Sequence, residues 1–390
     1  MPRIVADANI PLVERAFGPF GSVRTLPGRE ITREALRDAD VLLVRSVTPV
    51  DAALLDGTPV RFVGTATAGT DHVDEEALDR LGVAFASAPG SNATSVVEYV
   101  LAALLAVAAD RGEALEGRTL GVVGAGHVGG RLVPRAQALG LRVLVSDPPL
   151  TAAGGPPSAP LADLLAEADI VTLHTPLTTA AASGWPTRDL LDAAAFAAMR
   201  PEAWLVNAAR GGVVEAGALR TEAARRPCVL DVWPGEPSPD PALIRAATLG
   251  TPHIAGYSFD GKVRGTAVLV AALQAWLPEA APAPDVEAET EPPQPLRLDA
   301  PALPAETPAA RSAWLDALVR AAYDVRADDA RFRDALLGAA TASGRADAFT
   351  QLRKTYPVRR EWARYAVRGA VPPALLGAVV DGLGRRVEAG

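Results

Sequence analysis

The sequence predicts an α/β protein with two doubly wound parallel-sheet domains and a smaller C-terminal α+β domain. Three observations lead to this prediction. Short apolar runs alternate with helical patterns in two series, a long apolar helix separates the series, and a proline-rich stretch precedes a helix-rich end. Alternation of this kind is typical of βαβ units, which build parallel sheets.

The first series spans about the first ninety residues. Its predicted strands are 3–7, 22–26, 40–46, 61–67 and 84–88. Helical patterns at 33–39 and 74–82 separate them, and Gly82 predicts the end of the second. A long helix follows over about 94–111. Its apolar run at 99–109 is too short to span a bilayer, so we expect a buried helix.

The second series predicts one complete doubly wound domain, because six strands alternate with helical spacers. The strands are 119–126, 142–147, 169–174, 203–209, 227–233 and 250–256, and a helix over about 260–277 follows. We expect the first domain to span 1–94, completed by 256–278, and the second to span 95–255. Residues 279–309 are rich in proline and predict a linker. Residues 310–390 predict a third domain.

The composition is that of an ordinary globular protein, with 49% hydrophobic and 22% charged residues. A formal net charge of −8 argues against nucleic acid or an anionic membrane as partner. Cys228 is the one cysteine, so no disulfide framework is predicted, and no Cys/His cluster has the spacing of a zinc site. The amino terminus has no basic segment followed by an apolar run, and we expect a cytoplasmic protein.

A glycine-rich turn lies between a predicted strand and a predicted helix. It contains Gly124, Gly126 and Gly129 in the spacing GxGxxG, with His127 and Val128 inside the turn. Glycines there let the turn tighten, and backbone N–H groups then reach a pyrophosphate at the helix N-terminus. At the end of the next strand, the Asp147 carboxylate would accept hydrogen bonds from ribose hydroxyls and repel a 2′-phosphate. The pattern predicts a site for NAD rather than NADP.

Three chemically complementary residues follow successive strands of the second series: Arg210, Glu236 and His253. Taken singly, each has an ordinary structural interpretation. Arg210 would be a surface arginine, Glu236 a solvated loop carboxylate and His253 a packed core residue. Because the carboxyl ends of parallel strands meet at one edge of a sheet, we expect the three to converge. Together they favour oxidation of an alcohol. The imidazole would take a hydroxyl proton, the carboxylate would stabilise the imidazolium, and the arginine would hold a substrate carboxylate.

Five segments resemble the D-2-hydroxyacid dehydrogenase family: SVVEYVLAALL, GVVGAGHVG, LVNAARGGVV, DVWPGEP and TPHIAGYS. The likeness covers about residues 1–278. It implies an NAD-binding Rossmann domain that faces a flavodoxin-like substrate domain across a cleft, with Arg210, Glu236 and His253 as catalytic residues. It further implies NAD contacts at Asp147, Thr175, Ala208, Ala209, Arg210, Asp231 and Gly256, and substrate contacts at Ser46, Thr67 and Tyr257.

Four other segments resemble one branch of that family: ADANIP, LLVRSVTPV, YDVRADD and LRKTYPVRREW. The resemblance implies a phosphorylated four-carbon 2-hydroxy acid as substrate, a place in pyridoxal 5′-phosphate synthesis, and a homodimer formed through the C-terminal domain. Arg45, at a strand end beside Ser46, is our candidate for binding the substrate's anionic groups, and Arg359 and Arg360 are weaker candidates. Two alternatives stay open: the same chemistry on 3-phosphoglycerate, hydroxypyruvate or glyoxylate, and an NAD-sensing dimeric scaffold.

The C-terminal helices carry apolar stripes that we expect to be buried against a second copy of the chain. The residues are Trp314, Leu315, Leu318, Val319, Tyr323, Leu336 and Leu337. Two further histidines lie near the predicted site. We expect His174 to pack beside the cofactor, and His72 follows a glycine-containing loop that would approach the substrate carboxylate.

Overall fold

The computed structural model describes residues 1–277, 282, 284–291, 294–302 and 305–388. The chain forms two compact units. One contains residues 1–94 and 257–293, and the other contains 95–256 and 294–390. The second unit therefore holds both the predicted dinucleotide site and the C-terminal part of the chain. The division into three domains stays a prediction.

Strands and helices alternate along most of the chain. The strands are β1 Arg3–Asp7, β2 Ser22–Leu26, β3 Val41–Val44, β4 Phe62–Thr65, β5 Ala84–Ala86, β6 Thr119–Val123, β7 Arg142–Ser146, β8 Ile170–Leu173, β9 Trp204–Asn207, β10 Cys228–Leu230, β11 Leu249–Gly250, β12 Leu296–Asp299, β13 Tyr365–Arg368 and β14 Arg386–Val387. The helices are α1 Val13–Phe17, α2 Ala52–Leu55, α3 Glu75–Leu81, α4 Ala93–Arg111, α5 Gly129–Ala138, α6 Pro148–Ala152, α7 Leu161–Glu167, α8 Ala193–Ala198, α9 Ala216–Ala223, α10 Pro241–Ala246, α11 Phe259–Trp276, α12 Pro308–Arg320, α13 Val325–Gly338 and α14 Ala342–Lys354.

The first unit is built on a five-stranded parallel sheet in the order β2-β1-β3-β4-β5. This is the flavodoxin-like order, as predicted. Helix α3 begins after the Asp74 side chain, which accepts a hydrogen bond from the Ala77 N–H, and ends at Gly82 in the left-handed conformation. The helix expected at 33–39 was wrong: only a 3₁₀ turn forms, at Glu34–Leu36. Arg33, the residue that precedes this turn, provides no side-chain cap, in contrast to Asp74 before α3.

The second unit contains a six-stranded parallel sheet in the order β11-β10-β9-β8-β6-β7. The strand order reverses between β6 and β8, which is the switch point where ligands bind in such sheets. Both predicted doubly wound sheets are therefore confirmed. The strand predicted over 250–256 is shorter than expected. It ends at Gly250, because Pro252 and a left-handed His253 turn the chain directly afterwards.

Helix α4 is apolar over almost its whole length. By length and composition it could cross a membrane, but 83% of its most apolar window is buried inside the protein. Tyr99 and Glu98, for example, are shielded from solvent. As predicted, it is a core helix.

The C-terminal part contains three helices, α12 to α14, and a parallel sheet in the order β12-β13-β14. Strand β12 lies inside the stretch predicted to be a linker, and this part of the prediction was wrong. Its alternating leucines, Leu296 and Leu298, pair with β13, a partner about seventy residues away that proline content does not reveal.

The apolar stripes of the C-terminal helices are buried within the same chain, so they do not form the expected contact with a second copy. Phe332 stacks on Trp233 of the NAD-binding part with ring centroids 5.0 Å apart. Leu336 and Phe349 join the same core cluster. The stripe residues Trp314, Leu315, Leu318, Val319 and Tyr323 are also buried, and Leu337 is half-buried.

Candidate active site

The glycine turn lies between β6 and α5 and can be formed only by glycine at two of its positions. Gly124 has a φ of 89°, and a Cβ built at Gly129 would stand 2.0 Å from the Gly124 carbonyl oxygen. At Gly126 a Cβ would meet nothing within 4 Å, so this side of the turn is open. The N–H groups of His127, Val128 and Gly129 belong to the start of a helix, where no intrahelical acceptor exists. The turn thus fits a bound pyrophosphate.

Asp147 stands beside this turn at the end of β7. Its carboxylate accepts hydrogen bonds from the Ala125 N–H at 2.7 Å and the Leu150 N–H at 2.9 Å. These bonds fix the carboxylate against the glycine turn. Each oxygen has a further lone pair, so a ribose hydroxyl can still be accepted.

His174 and Thr175 follow β8 at the switch point. The His174 ring bonds Thr172 through Nε2 at 3.0 Å, and burial lowers the pKa of His174 to about 3. The ring is therefore neutral. Its Nδ1 and the Thr175 Oγ1 are buried and have no hydrogen-bond partner in the described part of the chain. Orphaned polar atoms of this kind fit a site that is completed by a ligand.

The turn after β9 carries Ala208, Ala209 and Arg210. Asn207, which the sequence argument did not single out, holds this turn. Its Oδ1 accepts from the Ala209 N–H at 3.0 Å, and its Nδ2 donates to the Arg210 carbonyl at 3.0 Å. The guanidinium of Arg210 donates to the Ala209 carbonyl at 2.9 Å. The signal that could have revealed Asn207 is a polar residue that ends an apolar strand.

Glu236 and His253 form a hydrogen-bonded pair. The His253 Nδ1 lies 2.9 Å from the Glu236 Oε2, and the Glu236 Oε1 accepts from the Trp233 N–H at 2.8 Å. Because a carboxylate can only accept, Nδ1 carries the proton and Nε2 has a free lone pair. The ring is 33% exposed. The pair therefore has the arrangement of a general base with an orienting carboxylate.

The loop of His253 is strained and anchored. His253 has a φ of 58°, which is uncommon for a residue other than glycine. Asp231, buried behind the loop, accepts hydrogen bonds from Thr251 Oγ1, the Ile254 N–H and the Ala255 N–H at 2.6–2.9 Å. Burial raises the pKa of Asp231, while His253 and these hydrogen bonds oppose the rise. Asp231 thus supports the loop, and Gly256 directly follows it.

The predicted substrate residues of the first unit lie at the carboxyl ends of the neighbouring strands β3 and β4. Arg45 and the exposed Ser46 follow β3, and the Arg45 Nη1 donates to the Asn9 carbonyl at 3.4 Å. Thr67 follows β4, and its Oγ1 bonds Thr65 Oγ1 at 2.7 Å and the Gly69 carbonyl at 2.8 Å.

His72 and Tyr257 have identifiable partners in this unit. The His72 Nε2 bonds Thr65 Oγ1 at 3.0 Å, a partner that the sequence did not suggest. Burial lowers the pKa of His72, although Asp71 opposes the change. The ammonium of Lys262 lies 4.6 Å from the centre of the Tyr257 ring.

Arg359, one of the weaker candidates for an anionic group, bonds main chain through Nη2, while its Nε and Nη1 have no hydrogen-bond partner among the described residues. Its side chain is buried with 6% of its surface exposed, and it donates to the carbonyls of Ser95 and Ala255. No group of three or more His, Cys, Asp or Glu residues capable of holding a metal ion occurs in the described ranges.

Comparison with known families identifies the class. Residues 103–255 match the D-isomer specific 2-hydroxyacid dehydrogenase, NAD binding domain, and residues 300–381 match a domain of unknown function, DUF3410. A crystal structure of the TT0316 protein from Thermus thermophilus superposes with a TM-score of 0.62 and 29% identity, over 71% of this chain and 97% of that chain. D-Lactate dehydrogenase from Aquifex aeolicus, complexed with NAD and lactic acid, shares the fold at a TM-score of 0.60 and 21% identity, over 71% and 95%. The protein is an NAD-dependent dehydrogenase.

Curated relatives show to which branch of the D-2-hydroxyacid dehydrogenases the chain belongs. Erythronate-4-phosphate dehydrogenase of Salinibacter ruber is 50% identical over 99% of this chain and 99% of its own length. The same enzyme of Pseudomonas paraeruginosa is 51% identical over 92% of this chain and 93% of its own length. The chain therefore belongs to the erythronate-4-phosphate dehydrogenase family, within the D-2-hydroxyacid dehydrogenases.

Proposed function

We propose that this enzyme oxidises 4-phospho-D-erythronate at C2 to 2-oxo-3-hydroxy-4-phosphobutanoate, as a step of pyridoxal 5′-phosphate synthesis in the cytoplasm. The observation that carries the proposal is the Glu236–His253 hydrogen bond at the carboxyl edge of a sheet whose glycine turn fits NAD. The near full-length identity to enzymes of that name supports the choice of substrate.

In the proposed oxidation, His253, Glu236 and Arg210 have different roles. Bound NAD supplies the acceptor for the hydride that leaves C2. His253 takes the C2 hydroxyl proton through Nε2, and Glu236 stabilises the resulting imidazolium through Nδ1. Arg210 binds the substrate carboxylate and polarises the C2 oxygen, with its backbone held by Asn207.

Substrate contacts come from the first unit in this proposal. The hydroxyl of Ser46 is exposed, and the hydroxyl of Thr67 is oriented by two hydrogen bonds. Arg45 follows β3 at the same sheet edge, and we assign it to the phosphate or carboxylate of the substrate. Tyr257 adds a further contact that we assign from the family resemblance.

A direct test compares turnover on a panel of 2-hydroxy acids with NAD: 4-phospho-D-erythronate, unphosphorylated erythronate, 3-phosphoglycerate and glycolate. We expect the highest kcat/KM with 4-phospho-D-erythronate. In His253→Asn, kcat should fall by roughly 10² to 10⁴, the usual contribution of a general base, while the Kd for NAD stays unchanged. A higher kcat/KM with another acid of the panel would identify that acid as the substrate instead. Absence of turnover on all of them would favour the alternative of an NAD-sensing scaffold.

We also propose that the enzyme is a homodimer joined through its C-terminal domain. The buried stripes cannot supply the contact, but other apolar side chains of this domain are exposed. They are Leu296, Val358, Leu376 and Val380, and Val358 is the most exposed at 77%. Exposed apolar groups of this kind mark interaction surfaces when they lie together.

Light scattering tests the dimer. We expect twice the 40.3 kDa mass of one chain. Val358→Asp combined with Leu376→Asp should shift the mass toward that of one chain, because charges would be buried in the contact. Leu150→Asp, at an exposed leucine of the NAD-binding part, is the matched control. A wild-type mass of 40.3 kDa would refute the dimer.

A further inference from the structure

Arg359 connects the C-terminal domain to the loop that carries the catalytic histidine. Its Nη2 donates to the Ala255 carbonyl at 2.6 Å and to the Ser95 carbonyl at 3.1 Å. The guanidinium carbon lies 4.5 Å from the centre of the Tyr323 ring, which therefore forms a platform beneath it. The arginine is buried in the enzyme and donates to main chain through Nη2, while its Nε and Nη1 have no hydrogen-bond partner among the described residues.

The two carbonyls occupy special places along the chain. Ser95 is the first residue of the second unit, and Ala255 is the last but one before the chain leaves it after Gly256. Ser95 lies in the first turn of α4, and its Oγ donates to Glu361 Oε1 at 3.1 Å. The Arg359 guanidinium thus hydrogen-bonds to two chain segments. The second unit begins at the first of them, and the NAD-binding part ends at the other.

The His253 loop needs such an anchor because it is strained. A non-glycine residue with positive φ costs free energy and persists only where its surroundings fix it. Asp231 fixes the N–H side of the loop, since its Oδ2 accepts from the Ala255 N–H at 2.9 Å. Arg359 fixes the carbonyl side of the same residue. Ala255 is therefore held at both of its main-chain polar groups.

We propose that Arg359 is a positioning residue for the dehydrogenase reaction: the C-terminal domain, through Arg359 on the Ala255 and Ser95 carbonyls, holds His253 in its left-handed conformation against Glu236. The inference rests on the proposed function, because it concerns the rate of that reaction. It assigns the C-terminal domain a part in catalysis that is separate from any role in dimer formation.

The chain offers a matched control for this proposal. Arg333, also in the C-terminal domain, donates to two main-chain carbonyls of the NAD-binding part, those of Ile244 and Ala247, at 2.5 and 2.7 Å. These carbonyls lie at the end of α10 and not in the His253 loop. Replacing either arginine by lysine keeps the charge and removes the planar fork.

The test measures kcat, the Kd for NAD and amide hydrogen exchange of the 251–258 peptide in Arg359→Lys and Arg333→Lys. This peptide leaves out the Gly250 N–H, which donates to Asp329, the ion-pair partner of Arg333. For Arg359→Lys we expect kcat to fall by about tenfold or more, as small displacements of a catalytic group do, with Kd for NAD within about twofold and faster exchange of the loop. For Arg333→Lys we expect wild-type kcat and wild-type exchange of that peptide. Equal losses of kcat in the two variants, or a folded Arg359→Lys with wild-type kcat, would overturn the proposal.

A second pair of variants covers the case in which Arg359→Lys does not fold. Tyr323→Phe keeps the ring beneath the guanidinium, and Tyr323→Leu removes it. We expect wild-type kcat in the first and a reduced kcat with unchanged NAD affinity in the second. Equal kcat in both would refute the role of Arg359. The hydrogen-exchange measurement needs no substrate, so failure of the proposed reaction in the wild type is recognised separately.

Discussion

Replacing Glu236 by glutamine should disable His253, the proposed general base, without disturbing its loop. The two carboxylate oxygens have different partners: Oε1 accepts from the Trp233 N–H and Oε2 accepts from the His253 Nδ1. A glutamine has one acceptor oxygen and one NH₂ group. The Trp233 N–H belongs to the main chain and can only donate, so the amide oxygen must face it. The NH₂ group then faces Nδ1.

This arrangement reverses the tautomer of the histidine. An NH₂ group requires Nδ1 to accept, which places the ring proton on Nε2, the atom that we propose takes the proton from the substrate. We therefore expect kcat to fall by roughly 10² to 10⁴, or about 3–5 kcal/mol of transition-state stabilisation at 1.36 kcal/mol per factor of ten. The Tm should change little, because both hydrogen bonds at this position are still made.

The assay is steady-state oxidation of 4-phospho-D-erythronate, with the Kd for NAD measured in parallel by fluorescence titration. Glu202→Gln, at an exposed position of the same unit, controls for the loss of one negative charge. A Glu236→Gln enzyme with kcat within threefold of the control would refute the tautomer argument. A large loss of NAD affinity would show that the loop itself had been disturbed.

Three further predictions follow from individual side chains. Asp147→Asn should narrow the preference for NAD over NADP by about tenfold or more, or about 1.4 kcal/mol, because it removes the charge that repels a 2′-phosphate; an unchanged ratio of kcat/KM values would contradict this. Arg45→Ala should raise KM for 4-phospho-D-erythronate much more than KM for erythronate. Equal increases in the two KM values would show that Arg45 does not bind the phosphate. Burial and the neighbouring Glu361 carboxylate raise the pKa of Glu98 to about 8 from 4.5, so the folded protein binds a proton that the unfolded chain releases between these values. Stability should therefore fall as pH rises from about 5 to 8, and Glu98→Gln should flatten that fall in Tm; an unaltered slope would show that Glu98 does not titrate in this window.

The sequence revealed those features whose signals are local. The spacing of the glycines predicts the turn, and the positions of Glu236 and His253 after apolar strands predict their contact, since parallel topology brings strand ends to one edge. The place of Arg210 beside them stays a prediction. The apolar alternation also located the strands of both sheets. Boundaries such as Leu249–Gly250 were misjudged, because a short apolar run does not show where its hydrogen bonds end.

The features that the sequence did not reveal depend on partners far along the chain. Arg359 bonds a carbonyl 104 residues away, and Thr65 orients His72 through a hydroxyl that no spacing rule marks. Strand β12 was predicted to be part of a linker, because three helices separate it along the chain from its partner β13. Such contacts become visible only when the packing is known.

The arrangement around His253 suits this rigid corner to the general base that we propose there. Pro252 and the left-handed backbone of His253 turn the chain at this corner, and the Glu236 carboxylate orients the ring and its tautomer from the Nδ1 side. Asp231 is buried, and a buried carboxylate is costly unless its oxygens are hydrogen-bonded. Its three donors all come from the loop, at Thr251, Ile254 and Ala255. The loop therefore satisfies the buried charge, and the charge in turn holds the loop in a conformation that it would not keep alone.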